Sequence, residues 1–99
     1  MTIEYRIRPD TRQPFVEALF ALSDQRRRDG AFDWDAFEDA AEPGRFIETF
    51  LVSSWVEHLR QHERVTHEGR VLQERVNAYH VGAQAPLVSH LIAVEPAQG

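Results

Sequence analysis

Residues 43–67, PGRFIETFLVSSWVEHLRQHERVTH, most narrow what this chain can become. Glu42-Pro43-Gly44-Arg45 has the chemistry of a type II turn, with proline second and glycine third. The turn feeds a strand, Phe46 to Ser53, that is apolar on both faces. Phe46, Phe50 and Val52 point one way; Ile47, Leu51 and later Trp55 point the other. Such a strand needs two covers. Helices supply one, and in a small antiparallel sheet a second copy of the chain is the simplest other.

The flanking segments fit that sheet. Ile3, Tyr5 and Ile7 alternate with Glu4, Arg6 and Arg8, which predicts a strand with one wet face. Asp10 reads as an N-cap with Gln13 as its capping-box partner, and Pro14 is tolerated in the first turn. Phe15, Ala18, Leu19, Leu22 and Arg26 then keep helical spacing, apolar until the last turn. Gly30 suits the left-handed cap. Ala31 to Asp39 predicts a second strand, with Phe32, Trp34 and Ala36 on one face and Asp33, Asp35, Phe37 and Asp39 on the other. Ser54 and Glu57 form a capping box for a helix that carries Trp55, Leu59 and His62 in one arc. Thr66 can cap a further helix whose stripe is Leu72, Val76 and Tyr79, ended by Gly82. Pro86 to Val94 predicts a last strand, and residues 95–99 a loose tail. The order is β-α-β-β-α-β, with the second helix broken near residues 64–67. This is the ferredoxin-like α+β pattern: a four-stranded antiparallel sheet, helices on one face, in one domain over residues 1–99.

Composition excludes several roles. The net charge of -5 argues against nucleic acid and against an anionic membrane surface. With no cysteine, thiol chemistry and disulfides are excluded. No apolar run approaches membrane-spanning length, and the N-terminus lacks the apolar core of a signal peptide, so a cytoplasmic protein is expected. Hydrophobic residues make up 42% of a chain of 99, more than a thin two-layer domain easily hides. Self-association through the sheet is the expected outlet.

The segment ETFLVSSWVEHLRQH, followed by His67, resembles the antibiotic-biosynthesis-monooxygenase type of dimeric α+β barrel. Over nearly the whole chain, and most specifically in DGAFDW, PGRFIETF and SWVEHLRQHERVT, the sequence resembles the soluble C-terminal extension of bacterial major-facilitator transporters of the transmembrane secretion effector group. The resemblance implies a homodimer. It also implies either an accessory module, associated with a separate transporter or a small molecule, or an oxygenase that uses no metal or flavin and oxidises quinol-type or polyketide-like aromatics with O2.

For the oxygenase, Trp34, Trp55 and Tyr79 can wall an aromatic ligand, with Leu59 and His67 nearby. His62 can act as base for a phenolic proton, and Asn77 can orient an oxygen. Against this stands the plainer reading of Trp55 as a core anchor and His62 as a hydrogen-bonded interior residue. Haem binding or degradation is also found in this type of fold, and the resemblance would then ask for an asparagine in the first strand, which IEYRI lacks, although His67 or His80 could ligate iron. His58 and His62, at i and i+4 beside Glu63, have zinc-like spacing without a third ligand, so no metal is expected. Arg26, Arg27 and Arg28 read as compensation of a helix dipole rather than as an anion site. The carboxylates Asp33, Asp35, Glu38 and Asp39 read as edge protection. Ser23, Ser53, Ser54 and Ser89 lie in no nucleophile elbow. No cofactor is expected.

Overall fold

The computed structural model describes residues 1–53, 67–94 and 96. Strand β1 (Thr2–Arg6) leads through a short 3-10 turn (Pro9–Thr11) into helix α1 (Arg12–Arg28). Strands β2 (Phe32–Glu38) and β3 (Arg45–Leu51), helix α2 (His67–Asn77) and strand β4 (Leu87–Ser89) follow. The sheet order is β2-β3-β1-β4, and every pairing is antiparallel. That is the ferredoxin-like α+β arrangement. The helix expected from Ser54 and the tail from Glu95 onward, Pro96 apart, lie outside the described residues.

Alternation decides which side of each strand meets the helices. Ile3 and Tyr5 of β1, with Ile7 just beyond it, and Phe46, Glu48 and Phe50 of β3 all face the helices and are buried. Phe15, Ala18, Leu19 and Leu22 of α1 and Val76 of α2 close over them. Phe15 is the hinge of this packing, edge-on to Tyr5, Phe46 and Tyr79 at centroid separations of 5.5, 5.0 and 6.4 Å. Edge-on rings gain about 1 kcal/mol each beyond the area they bury.

The opposite, open face carries Glu4, Arg6, Asp35, Phe37, Arg45, Ile47, Thr49, Leu51 and Leu87, by cross-strand register. The third strand is therefore not apolar on both sides. Its inner face carries a buried charge, Glu48, and its outer face ends in a half-exposed Leu51.

Local chemistry explains four further departures from the sequence reading. Asp10 does not cap α1: the 3-10 turn delays the helix to Arg12, its N-cap Thr11 makes no side-chain cap bond, and the Asp10 carboxylate pairs with Arg8 instead. Phe32 does not share a face with Trp34. Asp33 has φ 49°, which inserts one extra residue between the pairs Phe32–Leu51 and Asp35–Thr49. That bulge turns Phe32 to the open face and leaves Trp34 and Ala36 toward the helices. The final strand is only three residues long, pairing with Thr2 to Glu4 of β1. Leu91, Ile92 and Val94 extend past it without ladder partners and are 68, 79 and 95% exposed. Tyr79 lies beyond the end of α2, in the turn whose N–H donates to the Val76 carbonyl, rather than on the helix stripe.

Two turn features came out as read. Gly30, at φ 100°, sits at the end of α1, where Gly30 N–H donates to the Arg27 carbonyl and Ala31 N–H to that of Arg26. Gly44, at φ 93°, makes the β2–β3 turn, and its carbonyl accepts the Ile7 N–H at 2.8 Å. A Cβ at Gly44 would lie 2.7 Å from the Ile7 carbonyl oxygen, so the turn excludes any other residue on space as well as on φ.

Candidate functional site

The chemistry-bearing centre of the described fold is a buried polar cluster between sheet and helices. Register puts Glu48 opposite Ile3 on one side and Ala36 on the other, in the middle of the sheet and facing inward. Its side chain is fully buried. Arg26 sits on the buried stripe of α1, one turn beyond Leu22, and therefore reaches down rather than out. Its Nε donates to Glu48 Oε2 at 3.0 Å and its Nη2 to Oε1 at 3.1 Å, a bidentate pair. Tyr5 donates its hydroxyl to Oε1 at 2.9 Å, and Trp34 donates its indole N–H to Oε2 at 2.8 Å. Arg26 Nη2 also donates to the Gln73 side-chain oxygen at 2.7 Å. The Gln73 amide nitrogen then reaches the Tyr5 hydroxyl at 3.4 Å and donates to Asn77 Oδ1 at 2.9 Å. The guanidinium also lies 4.9 Å from the Phe50 ring centroid, a cation–π contact in a desolvated setting.

Electrostatics follow from this wiring. Burial, reinforced by the Glu48 carboxylate, pushes the Tyr5 phenol well above its ordinary value of 10.0. Burial alone would lower the Arg26 guanidinium; the Glu48 carboxylate outweighs it and holds the net shift upward. A carboxylate offers about four acceptor positions. Glu48 receives four donated bonds, so it is saturated. It can take a substrate proton only by giving up a partner, which makes it a poor general base and a strong internal tie.

The predicted site residues divide. Trp34 belongs to the cluster, stacked edge-on to Phe20 at 5.3 Å and topped by the Arg27 guanidinium at 5.8 Å. Asn77 touches its margin through Gln73, at the exposed end of α2. Tyr79 packs edge-on to Phe15, whereas Trp34 packs on Phe20. His67 is exposed at the first described position of α2. Trp55, Leu59 and His62, with His58 and Glu63, lie outside the described residues. Among the described residues, no group of three or more metal-ligating side chains converges.

Arg26 does more than balance a helix dipole. On the acidic edge, Glu38 accepts from Arg12 and from the Gly44 N–H, and Asp39 caps the turn through the Ala41 and Glu42 N–H groups. The Arg12 guanidinium, and then the Gly44 N–H, lower the Glu38 carboxyl; the Ala41 N–H leads the lowering at Asp39. Ser23 is a buried structural hydroxyl that donates to the Phe20 carbonyl at 2.6 Å.

The sequence reading missed Tyr5, Glu48 and Gln73 as polar partners. The available signal was a charge at an inward strand position, between Phe46 and Phe50, matched by an arginine in register with an apolar helix stripe.

A cavity of about 270 Å³ adjoins the cluster where α1 faces α2, lined by Leu22, Gln25, Arg26, Arg70, Gln73 and Glu74 among others. A second, about 310 Å³, opens beside Thr49, Leu51 and Leu91 to Ala93.

Comparison with known proteins bears on the fold and the family. A family model described as transmembrane secretion effector matches residues 1–98, and the chain belongs to that family. Among the described residues, no helix is long and apolar enough to cross a membrane. Similar solved structures include a protein from Caulobacter crescentus CB15, provisionally described as an antibiotic biosynthesis monooxygenase. It has TM-score 0.77 and 17% identity, over 95% of this chain and 87% of that one. One from Bordetella bronchiseptica with the same description has TM-score 0.77 and 14% identity, over 95% and 94%. A third, from Nitrosomonas europaea, has TM-score 0.68 and 17% identity, over 87% and 82%. At these identities the likeness shows the antibiotic-biosynthesis-monooxygenase fold. No curated protein matches.

Proposed function

We propose that the chain is a self-associating accessory module that pairs with a second copy through the open face of its sheet. The observation that carries this is the apolar content of that face. Phe32, Phe37, Leu51 and Leu87 are 46 to 62% exposed there, and Leu91, Ile92 and Val94 lie unpaired just past β4. Apolar groups gathered on one face mark a contact surface. The saturated Glu48 cluster supports a binding or structural role over catalysis, because its strongest acceptor has no capacity left for a substrate. The role is association with a small aromatic molecule or with a separately encoded transporter of the same family. Sedimentation velocity tests the pairing: a dimer at micromolar concentration is expected, converted to monomer by Leu51→Glu. A wild-type monomer under those conditions would remove the proposal.

A second reading is a cofactor-independent monooxygenase on a small quinol or polyketide-like aromatic, with His62 as base and Asn77 as orienting group. The descriptions of the similar solved structures favour it. Oxygen uptake with a panel of quinols separates the two readings: turnover abolished by His62→Ala establishes the enzyme, and no uptake leaves the accessory module.

A further inference from the structure

We propose that His80 is a proton-sensitive latch, holding the loop over residues 81–85 against β1 while its ring is neutral. The inference is independent of the proposed function. The Arg6 backbone N–H donates to His80 Nδ1 at 2.9 Å, and His80 Nε2 lies 2.9 Å from the Gln84 carbonyl oxygen. A backbone N–H can only donate, so Nδ1 must be bare. A carbonyl can only accept, so Nε2 must carry the proton. The two contacts together select one tautomer of the uncharged imidazole. A second proton would have to sit on Nδ1, where it would meet the Arg6 N–H, donor against donor.

The ring is the bolt of a small assembly. Val81 N–H donates to the Arg6 carbonyl at 2.8 Å, and Ile7 and His80 form an isolated antiparallel bridge. The loop thus grips both backbone groups of Arg6, its carbonyl through the Val81 N–H and its N–H through the ring. Residues 81–85 are exposed, and Gly82 at φ 129° lets the chain wrap the imidazole. A cavity of about 260 Å³ separates the loop from Glu4 and Arg6 of β1 and Leu87 of β4. Leu87, on the open face opposite Glu4, follows this loop after Pro86.

The charged surroundings do not relieve the conflict. From β1, Glu4 and Arg6 line the same cavity, and Glu4 is already shared between Arg6 and Arg45. The β2–β3 turn contributes Glu42, which is engaged by Arg6. The loop and β4 carry no charged residue. His90 lies past Ser89, which pairs with Thr2, at the end of the ladder opposite Arg6. From the end of α2 the nearest backbone partner is the Asn77 carbonyl, which accepts the His80 N–H at 3.0 Å. Among the described residues no carboxylate bonds to the ring.

A second proton on the ring is the perturbation that opens the latch, and acidification is the means of supplying it. Long-range proton–nitrogen NMR on the intact chain reads the ring, and amide exchange reads the loop. The ring is expected with its proton on Nε2 at about pH 7.5. Once acidification has placed the second proton on the ring, as the same NMR experiment reads, protection factors at Arg6 and Val81 are expected to fall roughly tenfold, with Leu22 in α1 unchanged. His80→Gln keeps a donor and an acceptor but does not titrate, so its protection at Arg6 and Val81 is expected to stay flat. A proton on Nδ1 at neutral pH, unchanged protection once the ring is charged, or an equal fall in His80→Gln would each overturn the proposal. The first two readings need no variant.

Discussion

The two faces of the sheet use the same chemistry to different ends. On the inner face Glu48 and Arg26 form a bidentate pair out of water, closed by Tyr5, Trp34 and Gln73. On the outer face Arg45 bridges Glu4 and Asp39, and Arg6 bridges Glu4 and Glu42, with solvent on one side of every ion. Opposite charges attract in both places. What differs is what each ion would meet on losing its partner: hydrocarbon inside, water outside. The inner cluster is therefore a stability and specificity element, and the outer lattice is a tunable surface among exposed apolar side chains.

The sharpest way to break this contrast is to remove Arg26. Arg26→Met is expected to cost about 3–5 kcal/mol, because it strands the Glu48 charge in the interior. Chemical denaturation measures it, and a loss below about 1 kcal/mol would place the pair on the same footing as the outer one. The double variant Arg26→Met with Glu48→Leu is expected to recover much of that loss, since two well-packed apolar groups tolerate burial where one orphaned ion does not.

Alkaline titration sharpens the contrast. A phenol whose folded value is raised stabilises the fold below the unfolded value of 10.0, and that contribution is lost as pH climbs toward the folded value. Tyr5 is therefore expected to ionise together with unfolding, well above pH 10.0, as read in the tyrosinate absorbance of the variant Tyr79→Phe. Ionisation of Tyr5 with the fold intact would contradict the sealed inner face.

Arg45→Ala supplies the outer counterpart and is expected to cost far less than Arg26→Met, with a smaller effect at high salt. Smallest is the acid response of Glu38 and Asp39. Their depressed carboxyls contribute above the unfolded values of 4.5 and 3.8, and the contribution fades as pH falls through the lower folded values. Thermal melts between about pH 6 and 3 should show this as a gradual slope, absent in the double variant Glu38→Gln with Asp39→Asn.

Much of the architecture was legible because its signals are local. Alternation at Ile3, Tyr5 and Ile7, the Phe15 to Leu22 stripe, and glycines at positions 30 and 44 each act within a few residues. The inner cluster was not, because its partners are joined across the fold. Arg26 and Glu48 are 22 residues apart, and Gln73 and Tyr5 are 68 apart. No periodicity announces that an arginine at the end of an apolar stripe will meet a glutamate at an inward strand position. The placement of Phe32 failed for a different reason. One left-handed residue, Asp33, shifts the register, and aspartate tolerates that conformation without demanding it. The likeness of ETFLVSSWVEHLRQH to a known barrel pointed to the right fold, while the side chains it singled out at Trp55, Leu59 and His62 fall outside the described residues.

The bond from the Trp34 indole to Glu48 gives the chain a built-in optical reporter. The sequence holds two tryptophans, so Trp55→Phe leaves Trp34 as the sole indole emitter. Its emission then tracks whether the interior carboxylate is still in place. Any ligand, partner or second copy that disturbs the cluster would announce itself as a shift in colour, without a label and before the binding partner has been identified.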